Sequence, residues 1–366
     1  MINRIDLSSR ISASNDSPFT SMAAVDAWDA WFRWRDEGVL RDITVESTWQ
    51  RVASTLTATE PPAVATGIKR RLTDEMMSWR LLLDERILAS AGTGMPAWSA
   101  GALVAVLNLA AFVLEPLTSH ATLDVLAVEQ TAALAVRVLD NAMSLLGDDN
   151  GVSRGFRIGV VGLADALALC GVTFGSNDAC RQATLASMAL ARGCVSSSAL
   201  LARERGAALP CTREWIGRAQ ALGLETDVFN MASAGLRHAA LTAITSQPRL
   251  ALLANEVTDA IDPGDTDVRP QWHATPDADH QTWPGGRPAS PSRDETEQAQ
   301  PALNASVHAQ LRLRGAMQPW IDAPITCPLS VSTEPSDRDS AQWAMLASEL
   351  GLPQPSWRLS ETGFAS

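Results

Sequence analysis

The chain has 366 residues, 46% of them hydrophobic, and a formal net charge of −12 at pH 7. The length allows one large domain or two modest ones. The negative charge disfavours a nucleic-acid-binding surface, because phosphate contacts need clustered cations. Lys69 is the only lysine and lies in no GxxxxGK[ST] frame, so a Walker-type phosphate loop is absent. Tyrosine is also absent, which excludes a tyrosine general acid in this chain.

The cysteine pattern indicates a reduced compartment. The five cysteines form no CxxC pair, and no zinc-ligand spacing is matched. We therefore expect no metal site and a cytoplasmic location. The N-terminal residues lack the apolar core of a signal peptide. The most apolar run, residues 102–114, is about half the ~20 residues of a membrane span, so we expect no membrane association.

The first third of the chain predicts helices after a polar arm. Residues 1–24 are serine-rich, which predicts a disordered arm. A helical region is expected over 25–95, with a capping-box pattern at Ser47-x-x-Gln50 and a helix from 62 to 83. Residues 102–113 are apolar apart from Asn108, and periodicity leaves open whether they form a buried strand or a buried helix. Asn108 is either in a polar network or beside a site, because a buried amide needs partners.

The middle of the chain predicts three helices. Residues 123–146 have the amphipathic pattern of a long helix. The stretch Arg157–Gly175 predicts an apolar buried helix that stops at Gly171, where a left-handed residue fits a helix end. Asp165 on this helix is either a buried acid or, more commonly in such a position, a surface aspartate. A further helix, which either Ser176 or Asn177 can cap, is expected to run to Gly206.

The last third begins with a change in composition. Residues 263–302 hold seven prolines and few aliphatic residues, which predicts a linker or a surface loop. His273 and His280 in this segment match no known ligand spacing. Amphipathic helices are expected again over 303–352, followed by a polar tail at 353–366. No GxSxG, HExxH or GxGxxG motif is present anywhere in the chain.

Six stretches, in order, resemble phrases of one family. The first stretch, RVASTL with SWRLLLDERILASAGTG, is similar to the family's N-terminal segment, which ends in "GRILAGAGTG". The next two are VLNLAAFV, similar to "SINLARFV", and AVRVLDNAM, similar to "AVRFLDNVI". The last three are RIGVVGLADALALCGVTFGS, similar to "RIGLGVMGLADALALLGIRYGS", RHAALTAITSQPRLALLANEVTDAIDP, similar to "RNATLLTIAPTGTISLLAGNVSSGIEP", and AQLRLRGAMQPWIDAPITCPLSV, similar to "AHLRMQAAVQPFVDSAISKTINV". These phrases belong to the large catalytic chain of ribonucleotide reductase, most closely its adenosylcobalamin-dependent class. The resemblance extends from about residue 25 to residue 352.

The resemblance implies a ten-stranded α/β barrel, but most of the barrel-forming section is missing. In the family that section lies between the "GAGTG" and "INLARFV" phrases, whereas here Gly94 is followed almost at once by Ala102. We therefore expect a mainly α fold, a helical remnant of the barrel around a reductase-like core at 96–262. A few residual strands are expected near 102–109 and 241–253. Their edges would need cover from helices or a partner, which favours self-association.

The residues that carry the family's chemistry are also missing. The chain has no Asn-x-Cys-x-Glu, whose cysteine becomes the thiyl radical in the family, and Ala102 stands at the position of a reducing cysteine. The phosphate-cradling "PTGTIS" turn reads SQPRLA, with Pro248 in place of glycine. The lysine of "SKT" is lost at Thr326-Cys327-Pro328, and the tail has no redox cysteine pair.

These losses predict a catalytically inactive ribonucleotide reductase-like protein that acts by protein or nucleotide binding. The implied partners are a reductase chain, a second copy or a nucleotide, with no cofactor. The alternative is an active adenosylcobalamin-dependent ribonucleoside-diphosphate reductase or a related nucleotide enzyme; a third hypothesis is a gene product without a selected function. No catalytic residue is predicted. Six residues at family-motif positions form a vestigial substrate-binding set: Arg86, Asn108, Asp165, Arg237, Gln318 and Asp322.

Overall fold

The computed structural model describes residues 18–94, 98, 102–147, 154–225, 231, 233, 235–263, 306–331 and 333–359. Parts of the sequence predictions lie outside these ranges, among them residues 1–17 of the predicted arm, residues 264–302 of the predicted linker with His273 and His280, and residues 360–366 of the predicted tail.

Helices make up most of the described secondary structure. They are α1 (Met22–Trp31), α2 (Val45–Leu56), α3 (Pro62–Met77), α4 (Glu85–Ser90), α5 (Val125–Ser144), α6 (Leu163–Leu169), α7 (Asn177–Arg205), α8 (Arg213–Ala221), α9 (Pro248–Leu253), α10 (Val307–Met317) and α11 (Asp337–Glu349). Thr44 caps α2 in a capping box with Ser47, one turn before the predicted box. Of the two predicted caps of α7, Ser176 is the one that caps the helix.

In the described part of the chain, ten short strands accompany the helices. They are β1 (Arg35–Asp36), β2 (Val39–Leu40), β3 (Leu81–Leu83), β4 (Leu103–Asn108), β5 (Val113–Leu114), β6 (Thr122–Leu123), β7 (Arg154–Val161), β8 (His238–Thr242), β9 (Leu329–Val331) and β10 (Trp357–Leu359). The central sheet has the order β3-β4-β7-β8. β4, β7 and β8 run parallel, and β3 is antiparallel to β4. β3 and β4 are almost continuously apolar because both faces of the sheet are covered.

The predicted mainly α fold, a helical remnant of a ten-stranded barrel, is wrong. A four-stranded, largely parallel sheet connected through helices is a mixed α/β arrangement with helices in the majority. The described residues close no barrel. The sequence reading missed β7, because an apolar run containing Gly159 is compatible with a strand or a buried helix. The predicted helix over Arg157–Gly175 is β7 followed by α6, and Gly171 adopts the expected left-handed φ of +66°.

Two further predicted boundaries change for local reasons. The helix expected to reach residue 83 ends at Met77, and Trp79, fully buried, has a φ of +57° that takes the chain into β3. The strand expected over 241–253 ends at Thr242. Pro248 then occupies the first position of α9, where its missing N–H costs no helical hydrogen bond.

α5 and α7 pack along each other and against the sheet, α5 on β4 and β7 and α7 on β8. Gly193 allows this close approach, because a Cβ atom there would lie 2.0 Å from the carbonyl oxygen of Glu129. Among the described residues, α7 is the one helix long and apolar enough to cross a membrane. However, 72% of its most apolar window is buried in the protein, as in the core helix of an α/β domain.

Side-chain carboxylates accept backbone N–H groups on two strands of the sheet. On the outer side of β8, Asp322 accepts the backbone N–H groups of Leu241 and Thr242 at 2.8 and 2.9 Å. On β4, Asp84 accepts the N–H of Val104 at 3.0 Å. At these positions side chains of the same chain accept strand N–H groups that no neighbouring strand accepts.

The C-terminal residues form a small unit beside the main core. α10, α11 and the parallel pair β9–β10 enclose a cluster of buried apolar side chains separate from the main core. Its members are Leu311, Leu329, Ala347 and Leu352.

Candidate functional site

The carboxyl ends of β4 and β7 meet where α/β proteins usually bind ligands. Asn108 ends β4 and is fully buried, and its Oδ1 accepts the N–H of Ala110 at 3.2 Å. Gly162 follows β7 with a φ of +70°, and a Cβ atom there would lie 2.6 Å from Oδ1 of Asn108. The side chain of Asn108 therefore caps the short turn that follows β4.

A loop over residues 254–262 covers this edge of the sheet. Thr258 donates its N–H to Oδ2 of Asp165 at 2.6 Å and accepts the N–H of Gly162 at 2.8 Å. Asp165 is 4% exposed, so it is the buried acid of the two alternatives. Asn255 and Ala260 have φ values of +62° and +58°, and both stand where the resembled phrase has glycine. The loop therefore keeps the left-handed backbone conformation that favours glycine, although neither position is a glycine in this chain.

The turn that resembles the phosphate-cradling phrase is bound to a carboxylate of the same chain. Asp259 accepts the N–H of Gln247 at 2.6 Å and also the hydroxyl of Ser246. Pro248 follows at the start of α9 and offers no N–H. The Ser246 hydroxyl and the Gln247 N–H are thus already paired with a negative charge.

Three of the predicted site residues hold local structure elsewhere. Arg86 binds Asp84 through two hydrogen bonds of 2.8 and 2.7 Å, and its side chain is 40% exposed. Gln318 closes the loop after α10 by accepting the N–H of Ile325 at 2.8 Å. Asp322, besides covering β8, forms an ion pair of 2.8 Å with Arg218.

Arg237 lies at the opposite, amino-terminal edge of the sheet. It donates to Asp140 at 2.8 Å and belongs to an ionic cluster around the buried acids Glu60 and Asp140, which joins α5, α7, the start of β8 and the segment before α3. The members of this ionic cluster are Glu60, Arg137, Asp140, Asn141, Glu204, Arg205 and Arg237. Polar groups at this edge of parallel α/β sheets usually serve stability. The structure therefore places Arg237 apart from Asn108 and Asp165.

The two acids at the centre of the ionic cluster are ionised. Burial raises the pKa of Glu60, but hydrogen bonds from Arg137 and Asn141 and the charges of Arg205 and Arg137 outweigh it and lower the pKa to about 2. Burial likewise opposes ionisation of Asp140, and His238 and Arg237 lower its pKa well below the usual range. Arg205 bridges the two carboxylates with 2.7 Å contacts to each.

The same edge holds a serine, a histidine and an aspartate in contact. Ser198 Oγ lies 2.9 Å from Nδ1 of His238, and Nε2 of His238 lies 3.2 Å from Asp140. All three residues are completely buried, so no substrate reaches the hydroxyl and the arrangement is structural. Sequence reasoning missed this contact because no motif links residues 140, 198 and 238; the one visible signal is His238 in place of the asparagine of the resembled phrase.

The described residues contain no group of three or more His, Cys, Asp or Glu side chains placed to hold a metal ion. All five cysteines lie in the described part and are free thiols. Burial raises the pKa of Cys194 and Cys170. Burial also raises the pKa of Cys327 to about 12, and its Sγ donates to the carbonyl of Ile244 at 3.4 Å. These thiols are held in the protonated form.

Comparison with known families identifies one similarity. Residues 95–262 match the family model of the ribonucleotide reductase barrel domain. This range contains β4, β7, β8, α5, α7 and the loop over residues 254–262, and it covers less than half of the chain. No curated protein matches the chain. Over residues 95–262 the chain is therefore similar to the barrel domain of the ribonucleotide reductase large chain.

Proposed function

We propose that this protein is a ribonucleotide reductase-like protein that does not reduce ribonucleotides and acts by binding another protein. The observation that carries the proposal is the internal pairing of the family-motif residues. Asn108, Asp165 and Arg237 are all bound to groups of the same chain. A substrate would have to break these bonds, and each buried polar group left unpaired costs about 1–3 kcal/mol.

The turn at Ser246 and Gln247 supports the loss of phosphate binding. Backbone N–H groups and hydroxyls bind phosphate by donating to its oxygens. Here the carboxylate of Asp259 accepts the hydroxyl of Ser246 and the N–H of Gln247, so a phosphate at this turn would meet a negative charge. Nucleotide binding at this turn is accordingly disfavoured by pairing and by charge.

The thiols do not fit the chemistry that adenosylcobalamin supplies in the resembled class. That chemistry needs a thiol at the substrate, between an asparagine and a glutamate, and a pair of reducing thiols. Cys327 is the thiol that bonds to Ile244 just beyond β8, but it is buried and lies between Thr326 and Pro328. We therefore place this chain near the adenosylcobalamin-dependent class by resemblance, without its cofactor or its reaction.

A reductase assay tests the loss of activity. The purified chain is incubated with each of the four ribonucleoside diphosphates, adenosylcobalamin and a dithiol, and deoxyribonucleotides are measured. We expect no product above a protein-free control. Product formed in proportion to enzyme would establish the alternative, an active adenosylcobalamin-dependent reductase.

The binding role needs a separate measurement. Sedimentation velocity of the purified chain, alone and mixed with a purified adenosylcobalamin-dependent reductase chain, distinguishes the partners. A dimer of the chain alone, or a mixed complex at micromolar concentration, supports the proposal. A monomer that forms no mixed complex contradicts it.

A further inference from the structure

Residues 18–21, just before α1, lie against the loop over residues 254–262. Thr20 donates its backbone N–H to Oδ1 of Asn255 at 2.9 Å. Nδ2 of the same asparagine donates to the backbone carbonyl of Pro18 at 3.2 Å. The buried Asn255 amide therefore binds this segment, which we call the strap, through one backbone N–H and one backbone C=O, as a neighbouring strand would.

The strap is also anchored in the aromatic part of the main core. Trp79 donates its indole N–H to the carbonyl of Pro18 at 2.8 Å. The ring centroid of Phe19 lies 5.1 Å from that of Trp79 and 6.0 Å from that of Trp28. Aromatic rings at these separations attract each other. The strap thus connects fixed core residues on one side with the loop on the other.

The loop has a backbone conformation that depends on contacts from its surroundings. Asn255 and Glu256 both have a φ of +62°, in the left-handed region that glycine adopts more easily than other residues. Such conformations persist where neighbouring groups hold them in place. The side chains of both residues bind the strap, because Glu256 accepts the hydroxyl of Ser21. The strap therefore supplies contacts to the two residues of the loop that need them.

The residues that follow Glu256 close the carboxyl edge of the sheet. Thr258 binds Asp165 and Gly162, and Asp259 binds the turn before α9. A change of backbone conformation at one residue redirects the chain after it. Loss of the left-handed conformation at Asn255 or Glu256 would therefore pull Thr258 and Asp259 away from the edge.

We propose that the strap controls access to the carboxyl edge: the loop stays closed while the strap is bound and opens when the strap is released. The proposal goes beyond the proposed function and does not depend on it, because it concerns contacts within this chain. A partner that binds the released strap shifts the equilibrium toward the open edge, since it binds only that state.

Hydrogen–deuterium exchange of the full chain, read by mass spectrometry, tests the proposal with Asn255→Gly. Glycine keeps the left-handed conformation accessible and removes the amide that binds the strap. We expect about ten-fold faster exchange in peptides containing the N–H groups of Thr258 and Gly162, because two hydrogen bonds of the loop are lost. Peptides from α5 and α7 should exchange at the wild-type rate. Unchanged or slower exchange in the loop, or equally faster exchange in α5 and α7, overturns the proposal.

Two further variants separate the strap from other effects. Phe19→Ala removes the aromatic anchor without changing the loop and should also give faster exchange there; it carries the test alone should Asn255→Gly not fold. The matched control is Asn177→Gly, which removes an exposed amide bound to Arg312 at 2.7 Å and should leave the loop unchanged. Wild-type loop exchange in folded Phe19→Ala, or equal acceleration in Asn177→Gly, contradicts the proposal.

Discussion

The two edges of the central sheet satisfy their polar residues in different ways. At the carboxyl edge, Asn108 and Asp165 accept backbone N–H groups and hold a turn and a loop in place. At the amino edge, Asp140 and Arg237 bind other charged side chains within the ionic cluster. Both edges hold residues at positions that resemble the reductase site, yet at both edges these residues bind groups of the same chain.

This difference teaches that position at a strand end is not enough to identify a site. The carboxyl edge has the location of a binding site, but the loop over residues 254–262 fills it. The amino edge has the charges that a binding site would need, but each charge has an opposite partner. The difference also predicts unequal costs of substitution, because an unpaired buried charge costs more than an unpaired N–H.

The largest expected effect is at the amino edge. Asp140→Ala removes the carboxylate partner of Arg237 and one of the two carboxylates bound by Arg205, and is expected to lower the free energy of unfolding by about 3–5 kcal/mol. Urea denaturation measures it. The control, Asp178→Ala, removes an ion pair with Arg181 whose side chains are 70% and 63% exposed, and should cost less than about 0.5 kcal/mol. Similar losses in the two variants would show that the ionic cluster is not buried as described.

The pH dependence of stability is the second effect. The folded pKa of Glu60 is about 2, below its usual value of 4.5. Its contribution to the free energy of unfolding is therefore complete above about pH 4.5 and is lost as the pH falls toward 2. Urea denaturation at several pH values should show wild type more stable than Glu60→Gln at pH 7, with a gap that narrows below pH 4.5. A gap that stays constant down to pH 2.5 would contradict the ionised, paired Glu60.

A smaller effect is expected at the carboxyl edge. Asp165→Ala removes the acceptor of the Thr258 N–H and should cost about 1–3 kcal/mol. Asp165→Asn keeps an acceptor oxygen and should cost clearly less than the alanine variant. Thermal unfolding followed by circular dichroism separates them. Equal losses in both would indicate that the charge of Asp165, rather than its hydrogen bond, supports the loop.

The smallest effect is expected at Arg86. Arg86→Ala removes a partly exposed ion pair, while Asp84 keeps its bond to the N–H of Val104, so the loss should be below about 1 kcal/mol. Urea denaturation measures the free energy of unfolding of Arg86→Ala and of Asp84→Ala. The Asp84→Ala variant also leaves the N–H of Val104 unpaired, so its loss of stability should be larger. A larger loss for Arg86→Ala would show that Arg86 has a structural role beyond this pair.

The sequence predicted the parts of the fold that depend on local pattern. The helices α5 and α7, the cap at Ser176 and the turn at Gly171 were predicted because capping and periodicity determine them. β7 was missed because a buried parallel strand and a buried helix share the same apolar pattern. The end of α3 was missed because Trp79 adopts a conformation usually reserved for glycine.

The sites were less predictable because they depend on distant residues. The ionic cluster joins Glu60, Asp140 and Arg205, which are far apart in the sequence. The contact between Ser246 and Asp259 forms only because the chain between them folds back and brings Asp259 beside the turn. The resemblance supplied the six candidate positions. It could not show that Arg237 lies at the edge of the sheet opposite to Asn108, because that follows from the direction of β8.

The central claim is that the family-motif positions are paired within the chain and take no nucleotide. Isothermal titration calorimetry of the wild-type protein with each of the four ribonucleoside diphosphates, with and without adenosylcobalamin, tests it most directly. The structure predicts no saturable heat in any of these titrations. A saturable heat in wild type that Asn108→Ala or Pro248→Ala abolishes would contradict the claim.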